Sequence, residues 1–180
     1  MRDLLIGCGS QRDRRAEKFF DFERLKLRLG WGDLVTLDNE SSHKPDVVAD
    51  LNDSLPFGDN EFDEIHAYEV LEHLGKQGDY VSFFAQFSEL WRVLRPGGLL
   101  MGTTPGRSSR WVWGDPSHTR YIGPESFVFL SQAEYARQVG ERAMSDFRGI
   151  YRADFEPVRY HETETFAFIL RAVKPSRSEA

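Results

Sequence analysis

The chain has 180 residues, a formal net charge of −6, 40% hydrophobic residues and 13% aromatic residues. That length suits one domain with a sizeable core, and the acidic balance argues against a general nucleic-acid or anionic-membrane binder, which carries a basic footprint. The single cysteine, Cys8, excludes a disulfide within the chain and a Cys-rich metal site.

In chain order, Leu4-Leu5-Ile6 reads as a short buried strand, stopped by Gly7-Cys8-Gly9-Ser10. This apolar run is too short for the core of a signal peptide, and no later stretch has the length of a membrane span. A cytoplasmic protein without membrane insertion is therefore expected. A helix is predicted over Arg12–Leu29, where Phe19, Phe22, Leu25 and Leu29 share one face and Arg and Lys occupy the others. Strands are predicted at Leu34–Leu37, at Asp46–Ala49 and at Phe62–Tyr68, with too little chain between the last two for a full crossover helix. The strongest helix spans Asp79–Leu94, where Tyr80, Phe83, Phe84, Phe87, Leu90, Trp91 and Leu94 form an aromatic and aliphatic stripe suited to core packing. Arg95-Pro96-Gly97-Gly98 ends it, and Leu99–Thr103 is a fifth strand.

Pro105–Tyr121 reads as loop, and a short helix is predicted to begin at Pro124. Ser131-Gln132-Ala133-Glu134 has the form of a capping box opening a helix to about Asp146. Gly149–Tyr160 and Thr163–Val173 can pair as an antiparallel hairpin, and Lys174–Ala180 is a polar tail expected to fray. The alternation indicates an α/β domain over residues 1–173, with a mostly parallel sheet and helices on both faces.

Such sheets bind ligands beyond the carboxyl ends of their strands. Gly7 and Gly9 match the first two glycines of a dinucleotide fingerprint, while Arg12 stands at the third. Asp38 follows the second strand directly, where a carboxylate can accept hydrogen bonds from both ribose hydroxyls. Asp50 follows the third strand; a turn or cap role is its alternative. A pocket for a nucleoside-containing ligand follows. His66, His73 and His118 make no short ligand cluster, so no metal is expected.

Several blocks occur together in one order: Leu5-Ile6-Gly7-Cys8-Gly9, Leu37-Asp38, Pro45–Leu51, Leu55-Pro56-Phe57, Tyr68–Leu74 and Leu90–Gly98. In this the chain resembles class I S-adenosylmethionine-dependent methyltransferases of the small, single-domain branch, firmly over about residues 3–104. The resemblance implies a Rossmann-like seven-stranded sheet ending in an antiparallel hairpin, with S-adenosylmethionine as cofactor. It implies that Gly7, Cys8 and Gly9 pack against the methionine part, Asp38 holds the ribose, and Asp50 and Leu51 border the adenine. Ala67, Tyr68 and Glu69 would line the sulfonium end. It departs at Arg12 and in the minimal segment between Asp38 and Asp46.

In the loop after the fifth strand, Trp111 and Trp113 can stack on a flat acceptor, and Arg107, Arg110 and Arg120 can hold an anionic one; an ordinary packed surface loop is the alternative. For a hydroxyl acceptor His118 is the candidate base, with Asp115 orienting it and Tyr68 or Glu69 touching the acceptor. Glu72 and His73 are expected to organise the turn after the fourth strand. Cys8 is expected to be a small buried side chain. A small-molecule or glycan acceptor is favoured, with a specific nucleic-acid base left open. The chain begins almost at its first strand, so an open cleft, or one closed by a second copy or a partner subunit, is expected. A non-catalytic interaction subunit that keeps the fold is the rival reading, and a nicotinamide dehydrogenase is disfavoured by the missing third glycine.

Overall fold

The computed structural model describes residues 1–179; Ala180, the end of the polar tail, lies outside the described residues. Alternating apolar stretches give β1 (Arg2–Ile6), β2 (Asp33–Asp38), β3 (Val47–Val48), β4 (Phe62–Tyr68), β5 (Leu94–Pro105), β6 (Phe155–Glu162) and β7 (Thr165–Ala172). They form one seven-stranded sheet in the order β3-β2-β1-β4-β5-β7-β6. The first five strands pair in parallel, and β7 runs antiparallel between β5 and β6, as the sequence predicts for the final hairpin. The chain winds outward from β1 to β3 and returns to β4 on the other side of β1. The switch point, where ligands bind in such sheets, therefore lies between β1 and β4.

Side chains alternate across the sheet, so Leu4 and Ile6 join Ile65, Ala67 and Leu100 on one face, while Leu5 joins Met101 and Ile169 on the other. The first face is covered by α2 (Tyr80–Val93), whose Phe84, Phe87, Leu90 and Val93 are buried at helical spacing. Each such side chain contributes about 1.5–3 kcal/mol when fully removed from water. Asp79 caps this helix by accepting from the Ser82 amide at 3.1 Å, and Leu94, in extended conformation, ends it. The predicted helix is thus found, but Tyr80 remains 52% exposed and does not join the core.

The predicted helix over Arg12–Leu29 is not formed. A 3-10 turn (Arg15–Lys18) and the single-turn α1 (Phe22–Leu25) take its place, with Asp21 capping α1 and Lys26 ending it at φ 55°. Buried charge explains the break. Glu64 and Asp3 point inward from β4 and β1, and the guanidinium of Arg14 meets Glu64 at 2.5 Å while that of Arg28 meets Asp3 at 2.6 Å. Buried carboxylates need such partners, and the chain bends to supply them. On the same face His66 Nδ1 lies 2.6 Å from the Tyr68 hydroxyl and His66 Nε2 lies 3.1 Å from Glu64. The Tyr68 hydroxyl accepts from the Ala16 amide; the Glu64 carboxylate only accepts, so the neutral His66 carries its proton on Nε2 and the Tyr68 hydroxyl donates to Nδ1. Burial dominates at His66 and lowers its pKa despite the Glu64 carboxylate.

Between β2 and β3 there is only a 3-10 turn (Ser41–His43), and none of the described residues between β3 and β4 is helical, which agrees with the expected loss of a crossover helix. Beyond β5 come α3 (Trp111–Gly114), α4 (Pro124–Val128) and α5 (Gln132–Gln138). Ser131 caps α5 as read from the sequence, but the helix stops well short of Asp146, because Val139 turns extended and Gly140 follows at φ 87°. The tail is docked rather than frayed as far as Arg177, which makes ion-paired hydrogen bonds of 2.6 and 2.9 Å to the buried Asp154. No helix of the described residues is long and apolar enough to cross a membrane.

Candidate active site

The loop after β1 turns through Gly7 at φ 56° and Gly9 at φ 52°, a region that L side chains rarely adopt. A Cβ on Gly7 would stand 2.3 Å from Val70, so the loop packs directly on the segment that leaves β4. A Cβ on Gly9 would meet nothing within 4 Å, so the backbone here opens onto free space at the switch point. Cys8 between them is buried, and burial, with Asp38 and Asp46 nearby, outweighs Arg12 and raises its thiol pKa. Such a thiol is a packing group rather than a nucleophile. Arg12 laces the loop to its neighbour, donating to the carbonyls of Gly9 at 2.8 Å and His43 at 3.2 Å.

Asp38 ends β2 beside this loop. One carboxylate oxygen accepts from the Gly9 amide at 2.8 Å, and the other accepts from the Glu40 amide at 2.9 Å and lies 3.2 Å from His43 Nδ1. Burial works against its ionisation, but the two amides and His43 prevail and hold its pKa below the ordinary value. An ionised carboxylate offers about four lone-pair positions, so Asp38 is fixed in place by three partners with about one position left for a ligand hydroxyl.

The remaining residues assigned to the cofactor are placed unevenly. Asp50 is exposed and accepts from the Asn52 amide at 2.8 Å, while the half-buried Leu51 packs on the core. The Ala67 methyl is fully buried, which leaves only its backbone for a ligand. Glu69 is exposed, stands at φ 54°, and donates its amide to Thr103 at 2.8 Å. The Tyr68 hydroxyl is held in the buried network with His66 and Ala16, which corrects its expected place at the acceptor.

Two loops meet past the ends of β4 and β5. The carbonyl of Glu72 accepts from the amides of Thr119 at 2.9 Å and Arg120 at 3.2 Å, and from the Thr119 hydroxyl. This pins the Asp115–Arg120 run onto the turn after β4. The His73 and His118 rings then pack edge to face, 4.7 Å between centroids. One ligand atom from each of Glu72, His73 and His118 lies within 4.8 Å of the others. No local spacing in the sequence announced this cluster, because its members come from separate loops. His118 Nδ1 lies 2.8 Å from the Trp111 carbonyl, and Nε2 is 3.8 Å from Asp115, beyond hydrogen-bond reach. Glu72 is 2% exposed, and burial, reinforced by Glu69 and Asp115, pushes its pKa up to about 8.

Of the acceptor residues, Trp111 and Trp113 are 54% and 65% exposed on α3. Arg107 is exposed and paired with Glu125. Arg120 differs from its expected role. It is buried and donates to the carbonyls of Lys76 at 3.0 Å and Asp79 at 3.2 Å, with its guanidinium over the Phe83 ring. Arg120 therefore braces the entry to α2. Beside it lies a cleft of about 300 Å³, walled by Tyr80, Phe83, Phe84, Phe129 and Phe147 with Arg120 at one side. Part of the helical stripe read as core thus lines a cavity. Only the fold of the α4 and Phe147 segments against α2 separates these rings from core residues of the same type.

Residues 4–102 match the family model described as a methyltransferase domain. A probable S-adenosylmethionine-dependent methyltransferase of Mycolicibacterium smegmatis is 39% identical over 136 residues, which cover 72% of this chain and 49% of that protein. The chain thus spans about half the length of that curated relative. Solved structures share the fold at low identity. A SAM-dependent methyltransferase from Archaeoglobus fulgidus superposes with a TM-score of 0.57 at 15% identity, covering 94% of this chain and 85% of that one. The N-methyltransferase NodS from Bradyrhizobium japonicum, solved with S-adenosyl-L-homocysteine, gives 0.53 at 16% identity, covering 95% and 77%. A putative methyltransferase from Haloferax volcanii, in complex with the activator Trm112, gives 0.56 at 16%, covering 96% and 82%. With the family model matching more than half of its length and a relative of this identity, the chain belongs to the S-adenosylmethionine-dependent methyltransferases of class I.

Proposed function

We propose that this chain transfers a methyl group from S-adenosylmethionine to a small organic acceptor seated in the aromatic cleft beside α2. The observation that carries the reading is Asp38, held ionised by the Gly9 and Glu40 amides and His43 at the switch point with a lone pair to spare. Bound S-adenosylmethionine supplies an electrophilic methyl on its sulfonium, so the protein contributes mainly position and charge. In this reading Gly7, Cys8 and Gly9 give the methionine part a close backbone surface. Asp38 receives the ribose hydroxyls, Asp50 and Leu51 border the adenine, and the backbone of Ala67 to Glu69 faces the sulfonium end.

The acceptor side is formed by the two docked loops. The aromatic walls of the cleft suit a flat or apolar body, and the exposed Trp111 and Trp113 extend that surface. A carbonyl can only accept, so the Trp111 carbonyl keeps the proton on His118 Nδ1 and leaves the Nε2 lone pair free on the acceptor side. The small-molecule reading is favoured over nucleic acid by the net charge of −6. A partner that closes the cleft is a second element of the reading, supported by the Haloferax volcanii relative solved with its activator.

The test is calorimetry of the purified chain with S-adenosylmethionine and, separately, NADH. Detection of S-adenosylhomocysteine in the presence of an acceptor panel follows. Saturable S-adenosylmethionine binding and product formation that falls in His118→Ala, with cofactor affinity unchanged, are expected. A folded chain that binds NADH and not S-adenosylmethionine would overturn the assignment.

A further inference from the structure

The cluster of Glu72, His73 and His118 has features that a methyl-transfer pocket does not by itself need. Glu72 is 2% exposed, and neither of its carboxylate oxygens has a hydrogen-bond partner among the described residues. A buried carboxylate left this way is costly, and native structures compensate it with a cation or with donors. Into the same place come two imidazoles, each with one ring nitrogen already engaged. His73 Nδ1 lies 3.2 Å from the Ser117 carbonyl and His118 Nδ1 lies 2.8 Å from the Trp111 carbonyl. A carbonyl only accepts, so in both rings Nδ1 carries the proton and Nε2 presents a lone pair. This is the outer-shell arrangement that fixes the tautomer of metal-binding histidines.

We propose that Glu72, His73 and His118 form a three-ligand site for a divalent first-row transition cation at the carboxyl end of β4, beside the cofactor crevice. Ligand atoms from the three residues already lie within 4.8 Å of one another. Bonds of about 2.0–2.2 Å to such an ion set neighbouring ligand atoms roughly 3–3.5 Å apart, so side-chain adjustment closes the remaining gap. Two imidazoles and one carboxylate suit zinc, cobalt or iron better than magnesium or calcium. Three protein ligands also leave a coordination position open, as in catalytic metal sites. The Glu72 carbonyl, by holding Thr119 and Arg120, keeps the His118 loop in register with the Glu72–His73 turn. If the methyl-transfer reading holds, a bound ion would take up the His118 Nε2 lone pair, so His118 would serve as a ligand in place of a base and the open position would take an acceptor oxygen; metal binding itself does not depend on that reading.

The experiment titrates cobalt(II) chloride into chelator-treated protein without cofactor, following visible absorption and calorimetric heat, then displaces it with zinc. Expected is one ion per chain, with affinity lowered on the order of 100-fold or more in His73→Ala and in His118→Ala. His161→Ala, which alters an exposed histidine on β6, should bind as the wild type does. Glu72→Gln should also lose the ion. If that variant fails to fold by circular dichroism, the two histidine variants carry the test. Absence of saturable cobalt binding, or binding undiminished in both His73→Ala and His118→Ala, overturns the proposal. Calorimetry with S-adenosylmethionine in the presence of chelator separates the two readings. A chain that binds the cofactor but not cobalt loses only the metal site, and one that binds cobalt but not the cofactor keeps the metal site and loses the methyl-transfer assignment.

Discussion

Replacing Asp38 by alanine removes the group that ties the loop after β1 to the turn after β2. Its carboxylate accepts from Gly9 at 2.8 Å on the β1 loop and from Glu40 at 2.9 Å on the β2 turn. Hydrogen bonds to a charged group contribute about 1.5–3 kcal/mol each. The variant therefore gives up roughly 3–6 kcal/mol of local order, part of which water restores at this partly open site. A bound ribose would lose the further hydrogen bond for which this carboxylate has room. A net loss near 3 kcal/mol corresponds to roughly 100-fold weaker binding. Calorimetry with S-adenosylmethionine and S-adenosylhomocysteine on wild type, Asp38→Ala and Asp38→Asn measures it. Asparagine keeps the shape but turns one acceptor into a donor facing an amide, so its affinity should fall between the other two. Binding of Asp38→Ala within about threefold of wild type, in a folded variant, would refute the argument.

Because the folded-state pKa of Asp38 lies below its ordinary value of 3.8, its contribution is present above that value and is lost as pH falls through the lower folded one. Cofactor affinity should accordingly be level from about pH 8 to pH 5 as far as this group is concerned, and decline only in stronger acid. Arg14→Ala leaves Glu64 with one charged partner fewer in a buried network, and urea unfolding should show a loss of about 3–5 kcal/mol; a loss below about 1 kcal/mol would mean that the bend of residues 12–29 has another cause. In Gly7→Ala the new methyl meets Val70 at 2.3 Å with φ at 56°, so cofactor binding and thermal stability should fall together. The double variant with Val70→Ala should recover stability only in part, because the backbone strain remains. Arg120→Ala should lower stability by about 2–3 kcal/mol through the freed Lys76 and Asp79 carbonyls while sparing cofactor affinity; unchanged stability with lost turnover would restore the acceptor-binding role read from the sequence.

The sheet and the glycine turn at the end of its first strand were legible in the chain because their signals are local. Phe62–Tyr68 announces β4 through its composition, Asp79 and the aromatic spacing announce α2, and Gly7, Gly9 and Asp38 stand at strand ends where backbone geometry demands them. The helix predicted over Arg12–Leu29 failed for a non-local reason. Its apolar spacing was helical, but Glu64 and Asp3, distant in sequence, needed Arg14 and Arg28 inside the protein, and periodicity cannot weigh a buried charge against a helical turn. The same limit governs the acceptor side. Tyr68 and Arg120 have the chemistry of acceptor-site residues, yet one hydroxyl went to a buried histidine and one guanidinium to the carbonyls at the start of α2. His73 and His118 gave no ligand spacing, and only the docking of Thr119 and Arg120 on the Glu72 carbonyl brought their rings together. By itself the sequence determined the strand order's raw material and the glycine turn beside Asp38 at the strand ends, since those follow from neighbours in the chain. Which polar side chains face a ligand and which are used up inside was decided by tertiary structure, because each buried charge must find its partner across the fold.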